Sequence, residues 1–476
     1  MNKELKPYDE YKETDLSWLD KVPKHWEIKP NRVLWNERKT INCISEQLLS
    51  VTIKKGIISQ AELLQSSSKK DSSNVDKSKY KLVAPNDIVY NKMRMWQGAV
   101  GVSNDRGIVS PAYIVLKPRG DINHRYYHFL LRTPGYIEES HRNSYGICDD
   151  QLSLRYEDFK GMQNIIPPKD EQDQIVRYLD SKLSKANKFI NTKKKQIELL
   201  QELKQAIINK AVTKGLAPTA KMKPSGIEWL GDIPEGWEVR KLSRMSKIVL
   251  SGLDKKTYEN QKNIKICNYV DVYKNDYITN DLDFMIATAT DREIERYTLL
   301  KNDIIITKDS ELWNDIAVPS FVDEDLLKVL CGYHLAIIRL NSSQTVADFI
   351  YRAFLSDYVS NQYKTKAKGV TRFGLSYQDI HDTIILLPPT EQQQKIASYI
   401  RIKSLEIDAA VQKIKKEINL ISEYRTSLIS DVVTGKVDVR HVEVEETFEE
   451  VEQDFNDLEE YAGEELVEKE DEVYVN

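Results

Sequence analysis

The chain has 476 residues, of which 41% are hydrophobic and 30% are charged, and its formal net charge is −5. This apolar fraction is enough for ordinary hydrophobic cores and excludes a wholly disordered chain. The sequence has no run of 18 apolar residues and no pair of its four cysteines at metal-ligand or redox spacing, and from the charged and polar residues at 1–18 we expect no signal peptide. We therefore expect a cytoplasmic protein with reduced thiols that spans no membrane.

The net charge hides two parts of opposite sign. Residues 441–476 contain 16 Asp and Glu and one Lys, so they carry −15 while residues 1–440 carry +10. A basic body suits a polyanionic partner. An acidic stretch with few apolar residues is typical of disorder, and we expect 438–476 to be a disordered tail. This tail either keeps the chain soluble, or it competes with nucleic acid for the basic surface or docks a basic partner.

The chain contains a large internal repeat. Three pairs of matching segments mark it, at offsets of 211 to 221 residues: 18–27 with 229–238, 86–88 with 302–304, and 167–168 with 388–389. Because solenoid units have only about 20 to 50 residues, this repeat is a duplicated domain with its connector. A chain with such pseudo-two-fold symmetry should meet a nearly two-fold partner, such as a DNA duplex or a pair of identical subunits.

Each copy begins with a mixed segment, at 26–165 and 237–386. Short β-branched or aromatic runs between Asn, Asp, Gly and Ser turns predict strands, and they cover 108–116, Ile304–Thr307, Leu335–Leu340 and Ile384–Leu387. One helical stretch follows in each copy, at 126–139 and 346–363. The pattern predicts two compact domains of the α+β class.

A long helix is predicted after each Pro-Pro pair. Proline suits the first turn of a helix, and the carboxylates of Asp170, Glu171 and Glu391 suit the positive end of its dipole. Glycine just past a helix is the usual left-handed stop, which predicts helix ends at Gly215 and Gly435. Roughly 44 residues at about 1.5 Å each would give two rods of about 65 Å.

Both predicted helices carry apolar residues in one seven-residue register, as coiled-coil partners do. Lys193 interrupts the first stripe, and Lys204 and Arg425 interrupt both stripes at one shared position. We expect the helices to pack side by side and to hold the two domains a fixed distance apart; the alternative is that each helix packs only on its own domain. The expected interface consists of Leu179, Leu183, Ile190, Ile197, Leu200, Ile207, Ile400, Ile407, Val411, Ile414, Ile418, Ile421 and Leu428.

The predicted fold is therefore α+β, with two mixed α/β domains in a tandem pseudo-two-fold repeat, separated by two long antiparallel coiled-coil helices. The predicted boundaries are 1–166 for the first domain, 167–215 for the first long helix, 216–387 for the second domain, 388–437 for the second long helix and 438–476 for the tail.

Catalytic signatures are missing from the sequence. It has no Gly-x-Gly-x-x-Gly after a strand, no P-loop and no His-Glu-x-x-His. The Pro-Pro pairs follow Ile166 and Leu387, so they do not match the Asn/Asp-Pro-Pro-Tyr/Phe loop of amino-methyltransferases. His124 and His128 have helical spacing but no convincing third ligand, which favours ordinary surface or core histidines over a metal site. We expect no catalytic residues, no metal and no cofactor in this chain.

Each mixed domain carries a turn, just after a strand, that is rich in side chains suited to DNA. Arg and Lys can bridge guanine acceptors, Asn and Gln can pair with adenine, and either cation can bind phosphate. The two turns differ in sequence, whereas the segments that flank them match. This pattern is expected of two domains that recognise different DNA sequences. Trp96 and Trp313 have an alternative role as core anchors. The candidate DNA contacts in these turns are Lys92, Arg94, Trp96, Gln97, Lys308, Ser310, Trp313 and Asn314.

A second candidate segment precedes the last strand of each domain. In the second copy it has four cations within 364–372, and such runs are often only solvated surface. Its matching position in both copies favours contact with DNA, and each neutralised phosphate would make binding weaken with salt. The candidate contacts are Arg142, Asn143, Ser144 and Tyr145 in the first copy and Lys366, Lys368, Thr371 and Arg372 in the second.

With these features the chain resembles the specificity subunit of type I restriction-modification systems. The resemblance covers residues 15–440 and rests on the duplication, the Trp-containing segments, the Pro-Pro helix starts at 167–172 and 388–392, and the twin helices. Residues 86–93 and 109–113 are also typical of one subtype of target-recognition domain, whereas the second copy keeps only 302–305 and Lys308. The acidic tail is not a feature that we associate with this family.

The resemblance implies a role. Each target-recognition domain would read one half of a bipartite double-stranded DNA site, and the antiparallel helix pair would act as a ruler for the unread gap. Two methyltransferase subunits, which bring S-adenosylmethionine, would bind through the helical regions, and restriction subunits would add ATP-driven translocation and cleavage. This chain would itself catalyse nothing. Side-chain readout in the major groove at a fixed spacing is compatible with that role.

Two other hypotheses remain open at this point. The chain could be an enzyme with an unfamiliar site, which bound cofactor or turnover by the isolated chain would support. It could instead be a coiled-coil scaffold or adaptor that does not read DNA, which salt-independent assembly without DNA would support.

Overall fold

The computed structural model describes residues 6–53, 56–65, 76–148, 151–326 and 328–444. The chain divides into two compact units. Unit 1 comprises Met1–Lys195 and Lys413–Asn476, and unit 2 comprises Gln196–Gln412. Each unit thus combines one predicted domain with part of both predicted long helices. Of the tail predicted at 438–476, residues 438–444 are described and pack on unit 1, with Val439 fully buried. Residues 445–476 lie outside the described residues.

Unit 1 is built around a four-stranded antiparallel sheet of order β4-β11-β8-β9. The remaining strands form the pairs β1-β2, β5-β6, β7-β10 and β3-β12. The strands of unit 1 are β1 Tyr11–Leu16, β2 Leu19–Pro23, β3 Glu27–Pro30, β4 Trp35–Glu37, β5 Leu49–Thr52, β6 Gly56–Ser59, β7 Lys81–Val83, β8 Ile88–Asn91, β9 Val100–Val102, β10 Gly107–Val109, β11 Tyr113–Pro118 and β12 Gln163–Ile166. The run predicted as one strand at 108–116 is therefore two strands with different partners.

Four short helices and one long one follow in this part of the chain: α1 Gln60–Gln65, α2 His124–Leu130, α3 Pro134–Arg142, α4 Tyr156–Phe159 and α5 Lys169–Lys214. The helical stretch predicted at 126–139 consists of two helices, α2 and α3. Thr133 caps α3 by accepting a hydrogen bond from the Tyr136 N–H, and Pro134 occupies its first turn. A proline with a capping threonine in front of it starts a new helix more readily than it continues an old one.

Unit 2 has a five-stranded sheet of order β16-β24-β20-β22-β18 and a three-stranded sheet of order β19-β17-β23. A small sheet of order β21-β26-β25 and the pairs β13-β14 and β15-β27 complete it. Its strands are β13 Met222–Pro224, β14 Asp232–Pro234, β15 Glu238–Lys241, β16 Ser246–Leu250, β17 Lys262–Cys267, β18 Tyr277–Ile278, β19 Met285–Ala289, β20 Ile304–Thr307, β21 Asp309–Ser310, β22 Pro319–Val322, β23 Val329–Cys331, β24 Leu335–Leu340, β25 Lys368–Gly369, β26 Phe373–Gly374 and β27 Ile384–Leu387. Strands β20, β24 and β27 have the predicted bounds.

The helices of this unit are the last part of α5, α6 Tyr269–Lys274, α7 Asp291–Tyr297, α8 Ala347–Phe354, α9 Asp357–Lys364, α10 Tyr377–His381 and the first part of α11 Thr390–Val433. The helical stretch predicted at 346–363 is likewise divided, into α8 and α9. Ser356 lies between the two with extended backbone angles and is buried. A residue in that conformation ends one helix and begins the next.

The same turn precedes the central strand of each unit. Asn86 and Asn302 have φ of 69° and 72°, a left-handed conformation that Asn tolerates better than most residues. The carboxylate after each of them is 1% exposed and accepts a hydrogen bond of 2.8 Å from the backbone N–H three residues earlier. An arginine balances each of these buried charges, in the pairs Arg38 with Asp87 and Arg339 with Asp303. The sequence repeat is thus a repeat of local structure.

In each unit the parts of α5 and α11 pack in antiparallel order. In unit 1 the start of α5 shares a hydrophobic core with the end of α11, including Leu183 and Leu428, while Lys193 further along α5 bonds to the earlier Glu417. In unit 2, Lys204 bonds to Asp408, and the end of α5 shares a core with the start of α11, including Ile208 and Ile400. Both helices begin directly after their Pro-Pro pairs.

Most of the expected interface residues are buried. Ten of them are 8% exposed or less: Leu179, Leu183, Ile190, Ile197, Ile400, Ile407, Val411, Ile414, Ile418 and Leu428. Leu200, Ile207 and Ile421 are only half-buried. Near the end of α5, Ile208 is 3% exposed and lies on the inner face of the helix, where the heptad pattern had placed Ile207. A straight α-helix drifts relative to a seven-residue repeat, so a strict register moves off the inner face near a helix end.

Candidate nucleic-acid interface

The first candidate turn of unit 1 connects β8 to β9. Asn91 shapes it, because its side chain accepts a hydrogen bond of 3.0 Å from the Met93 N–H and its carbonyl accepts one of 3.0 Å from the Arg94 N–H. Met95 is fully buried and anchors the turn, and Gly98 closes it with a φ of 86°. The turn is therefore held firmly by its backbone, although its side chains vary in exposure.

The predicted contacts in this turn have different surroundings. Arg94 and Gln97 are exposed and Lys92 is half-buried. Trp96 is half-buried, donates a hydrogen bond of 2.9 Å to the Met93 carbonyl and packs against the ring of His141, with 5.6 Å between centroids. These contacts favour Trp96 as a core anchor, the alternative role that the sequence had left open. Arg94 and Gln97 are exposed and remain available to contact a ligand.

The contact between Trp96 and His141 brings the second candidate segment of unit 1 beside this turn. Arg142 is exposed and pairs with Glu138 on the same helix, and Tyr145 is 65% exposed. Asn143 and Ser144 have intramolecular roles instead. Asn143 ends α3 and donates a hydrogen bond of 2.9 Å to the Glu139 carbonyl. Ser144 is 9% exposed and donates to the Ser140 carbonyl, so its hydroxyl already has a partner within the fold, and its predicted contact with DNA stays a prediction.

In unit 2 the two candidate segments are joined by strand pairing. Strand β21 lies within the first candidate turn and pairs with β26, so that Ser310 is opposite Phe373, and β26 also pairs with β25. The resulting hairpin exposes Lys368, Thr371 and Arg372, while Lys366 is half-buried. Val370 at its tip is 94% exposed. This hairpin is a basic, exposed projection directly beside the turn after β20.

That turn presents an exposed aromatic ring next to a buried serine. Trp313 is 54% exposed, so it is not a core anchor, and Asn314 is exposed as well. Ser310 is 5% exposed, and its oxygen accepts a hydrogen bond of 3.2 Å from the Leu312 N–H. The side chain of Ser310 is thus largely covered by the fold, and its predicted DNA contact stays a prediction.

Lys308 belongs to a charged cluster that the sequence analysis missed. Its ammonium lies 2.6 Å from Asp309 Oδ2, and Nδ1 of His334 lies 2.7 Å from the same oxygen. Partial burial raises the pKa of Asp309, but the hydrogen bonds from Lys308 and His334 outweigh it and hold that pKa below its usual value. His334 has a φ of 71° and is 25 residues away in sequence, so no spacing pattern could indicate this cluster.

The two turns occupy the same place on their scaffolds. In unit 1 the Lys92 N–H donates to the Ala112 carbonyl at 3.2 Å, and the Lys92 carbonyl accepts from the Leu154 N–H at 2.8 Å. In unit 2 the Lys308 N–H donates to the His334 carbonyl at 2.9 Å, and its carbonyl accepts from the Leu375 N–H at 2.9 Å. The backbone of the two lysines is thus equivalent, whereas the side chains that follow them differ.

The histidines and the helices of the described part of the chain give no sign of another kind of site. Within it, no three His, Cys, Asp or Glu side chains come together as a metal site would require. His128 is half-buried, its Nδ1 lies 3.3 Å from the Val102 N–H, and its removal from solvent lowers its pKa well below the usual value. None of the described helices has both the length and the apolar composition needed to cross a membrane.

Comparison with known proteins identifies relatives along most of the chain. A protein assigned as the specificity subunit of the type I restriction enzyme MjaX of Methanocaldococcus jannaschii is 24% identical over 299 residues, 61% of this chain and 63% of that protein. The type I restriction enzyme MjaVIII specificity subunit of the same organism is 23% identical over 375 residues, 77% of this chain and 84% of that protein. The alignment with MjaX thus spans less than two thirds of that relative.

A solved structure also resembles this chain. It is a chain from work on the structural basis of complex assembly and conformational transition of the type I R-M system, with a TM-score of 0.63, 13% identity, and coverage of 87% of this chain and 99% of that one. At this identity the likeness shows the fold alone. The sequence model of the type I restriction modification DNA specificity domain matches residues 42–199 and 234–420, well over half of the chain. The chain therefore belongs to the family of type I restriction modification DNA specificity domains.

Proposed function

We propose that this chain is the DNA-reading subunit of a type I restriction-modification complex, with one domain for each half of a bipartite double-stranded site. The equivalent backbone position of Lys92 and Lys308 carries the proposal. A duplicated scaffold that keeps this backbone and varies the neighbouring side chains can present two different sets of donors to two DNA sequences. Base edges in the major groove offer a distinct donor and acceptor pattern for each base pair.

Charge and exposure at the candidate interface support binding to DNA. In unit 1, Arg94 and Arg142 lie on two adjoining segments, and in unit 2, Lys368 and Arg372 lie on the exposed hairpin. Residues 1–440 carry a net charge of +10, which suits a polyanion. Trp313 adds an exposed ring beside these cations. The exposed set combines side chains that position a phosphate backbone with side chains that can read bases.

In this proposal the chemistry belongs to partner subunits. Methyltransferase subunits would supply S-adenosylmethionine and transfer its methyl group, and restriction subunits would supply translocation and cleavage, while this chain selects the site. The helix pair is the proposed docking region for two methyltransferase subunits and the element that sets the unread gap. We expect the complex to act on DNA in the cytoplasm.

The proposal is tested by mapping methylated adenines in DNA from cells that contain this chain and its methyltransferase partner. The matched variant carries residues 216–387 from a related specificity subunit in place of its own. We expect a two-part methylated sequence of which one part changes in the variant while the other part stays the same. Methylation that is unaffected by the exchange, or that changes in both parts, would contradict one domain per half-site.

A second measurement separates the DNA reader from a scaffold that does not contact nucleic acid. Binding of the assembled complex to its mapped site is followed at increasing salt concentration. We expect the logarithm of the affinity to fall linearly with the logarithm of the salt concentration, because each neutralised phosphate releases counterions. Assembly of the complex without any affinity for DNA would instead support the scaffold.

A further inference from the structure

The two units differ at the start of their long helices, where the sequence repeat would make them alike. Glu171 in unit 1 and Gln392 in unit 2 are counterparts, and each accepts a hydrogen bond of 3.0 Å from the indole N–H of a buried tryptophan, Trp26 and Trp237 respectively. Glu171 is nevertheless 4% exposed, whereas Gln392 is exposed. Something covers this position in unit 1 that is missing from the described part of unit 2.

The cover in unit 1 is a tyrosine from the beginning of the chain. Tyr8 is 4% exposed and donates a hydrogen bond from its hydroxyl to Glu171. Its ring packs edge-on against Trp26, with 5.9 Å between centroids, and the guanidinium of Arg440 lies 4.8 Å from its ring centroid. His25 bonds to the other carboxylate oxygen of Glu171 at 2.8 Å. Tyr8 is thus held by an aromatic wall, an acceptor and a cation, and it is followed by Asp9 and Glu10.

The corresponding place in unit 2 is an open cavity of about 490 Å³. This volume is within the range of about 300 to 1,000 Å³ that is usual for ligand pockets. The offset that relates Trp26 to Trp237 places Thr219 as the counterpart of Tyr8, and Thr219 is exposed. Residues that line the cavity include Lys214, Lys221, Trp237, Gln392, Lys395 and Ile396.

The charge of this cavity favours an acidic occupant. Three lysines line it against one carboxylate, Glu235, and Lys395 also pairs with Glu391 outside the lining. The cavity lies at the beginning of α11, where the helix dipole adds positive potential. The Gln392 carbonyl oxygen has a second lone pair and can accept a hydrogen bond from a hydroxyl in addition to the one from Trp237.

We propose that this cavity binds a peptide segment of another protein chain that carries a tyrosine beside acidic residues, in the way that unit 1 holds its own Tyr8. The tyrosine ring packs on Trp237, its hydroxyl donates to Gln392, and the acidic neighbours face the lysines. This site is independent of the proposed reading of DNA, because it lies at the base of α11 and includes none of the candidate DNA contacts.

Binding of a labelled peptide with the sequence of residues 6–10 to the full chain, measured by fluorescence anisotropy, tests the proposal. We expect saturable binding that is weakened by Lys395→Glu in the protein, by Tyr8→Phe in the peptide and most strongly by Tyr8→Ala in the peptide. The absence of binding, or equal binding of the Tyr8→Ala peptide, would overturn the proposal.

A gain of affinity distinguishes the cavity from other sites on the protein. The double variant Gly236→His with Gln392→Glu gives unit 2 the acceptor and the histidine of unit 1, and a Cβ at Gly236 meets no atom within 4 Å. A hydrogen bond to a charged acceptor is stronger than one to a neutral acceptor, so we expect the peptide to bind about fivefold to tenfold more tightly. The matched control is Gln394→Glu, the same charge change at another exposed glutamine of α11, which should leave binding unchanged.

Two further outcomes would also contradict the proposal. If the peptide instead displaced Tyr8 from its place in unit 1, its binding would respond neither to Lys395→Glu nor to the double variant. Binding that appears only after removal of residues 445–476 would assign the cavity to the acidic tail of this chain. The melting temperature of each variant, compared with the unchanged protein, excludes loss of folding as the cause of a weaker signal.

Discussion

Lys193 on α5 and Glu417 on α11 form an ion pair with 2.8 Å between Nζ and Oε2. Lys193 interrupts the apolar stripe of its helix, and this partner explains how the interruption is accommodated. Lys204, the next interruption along α5, is likewise paired, with Asp408. Charged pairs at such positions fix the register and the orientation of paired helices, because a slipped register would oppose each charge with the wrong neighbour.

Reversal of this ion pair tests its contribution to the helix pair. Lys193→Glu places two carboxylates opposite each other, and we expect it to lower the melting temperature, as Glu417→Lys should by opposing two cations. The double variant Lys193→Glu with Glu417→Lys restores opposite charges and should recover most of the loss. Thermal unfolding at low and high salt measures this, and a double variant as unstable as the sum of the single ones would contradict the pairing.

The carboxylate of Asp309 should make the stability of unit 2 depend on pH. The pKa of its carboxyl is lowered in the folded protein, so the folded state favours the charged form. The stabilisation is therefore fully present above the ordinary carboxyl pKa of 3.8 and is lost as the pH falls below it towards the folded value. We expect Asp309→Asn to be less stable than the unchanged protein at neutral pH, with a difference that shrinks as acid is added.

Denaturant unfolding of both proteins across the acid range measures that difference. Asp254→Asn is a suitable control, because Asp254 is an exposed carboxylate whose ion-pair distance to Lys256 is longer, at 3.6 Å. A constant difference between Asp309→Asn and the unchanged protein from neutral pH into the acid range would show that Asp309 contributes through packing alone.

The cluster around Asp309 illustrates what the sequence could and could not predict. Strand β20 was predicted with its correct bounds because an Asn-Asp turn precedes a run of three isoleucines. The position of His334 beside Asp309 depends on the pairing of β20 with β24, which joins residues far apart in sequence. The periodicity of apolar residues indicates that a strand exists but not which strand it pairs with. The pairing of β21 with β26, which joins the two candidate segments of unit 2, could not be predicted for the same reason.

The helices show the same limit on prediction from the sequence: features with a local chemical signature can be predicted, whereas features that depend on packing cannot. The Pro-Pro pairs and the glycine stops located both long helices well, since helix ends have local chemical signatures. The division between α2 and α3 also has a local signature, Thr133 followed by Pro134, which the apolar character of the surrounding residues concealed. Burial of Ser144 and Ser310 had no such signal, because it depends on which neighbours pack over each side chain.

Arg94 and Lys368 should act on different halves of the DNA site. Arg94→Ala should weaken binding by about 1 to 3 kcal/mol if Arg94 reads a base, with reduced discrimination at one position of one half-site. Lys368→Ala should affect only the other half-site, so each variant serves as the control for the other. Binding is measured with sites altered in one half at a time; an equal loss on all sequences would identify a phosphate contact.

Two glycines with the same backbone conformation should respond differently to an added methyl group. Gly226 and Gly435 have φ of 78° and 76°, and a non-glycine residue there costs about 1 to 2 kcal/mol. A Cβ at Gly435 would lie 2.5 Å from Cδ of Pro23, whereas a Cβ at Gly226 meets no atom within 4 Å. Gly435→Ala should therefore lose about 1 to 3 kcal/mol more than Gly226→Ala. Equal losses in denaturant unfolding would contradict close packing at Gly435.

The helix pair offers a test of how the gap between half-sites is set. Removal of 190–196 from α5 together with 414–420 from α11 takes out one heptad from each helix. Each deleted segment has one member of the ion pair at its centre, so Lys193 and Glu417 leave together and neither charge remains unpaired. Because the deletion is a whole heptad, the apolar register on either side of it is kept.

Seven residues correspond to about 10 Å of helix, and base pairs are stacked about 3.4 Å apart, so the unread gap should shorten by about three base pairs. The two half-site sequences should stay the same, because neither candidate interface is altered. Mapping of methylated adenines measures both the gap and the half-sites. Deletion of only one of the two segments is the control, since it puts the two helices out of step and should abolish methylation. An unchanged gap in the matched deletion would mean that the paired helices do not set the spacing.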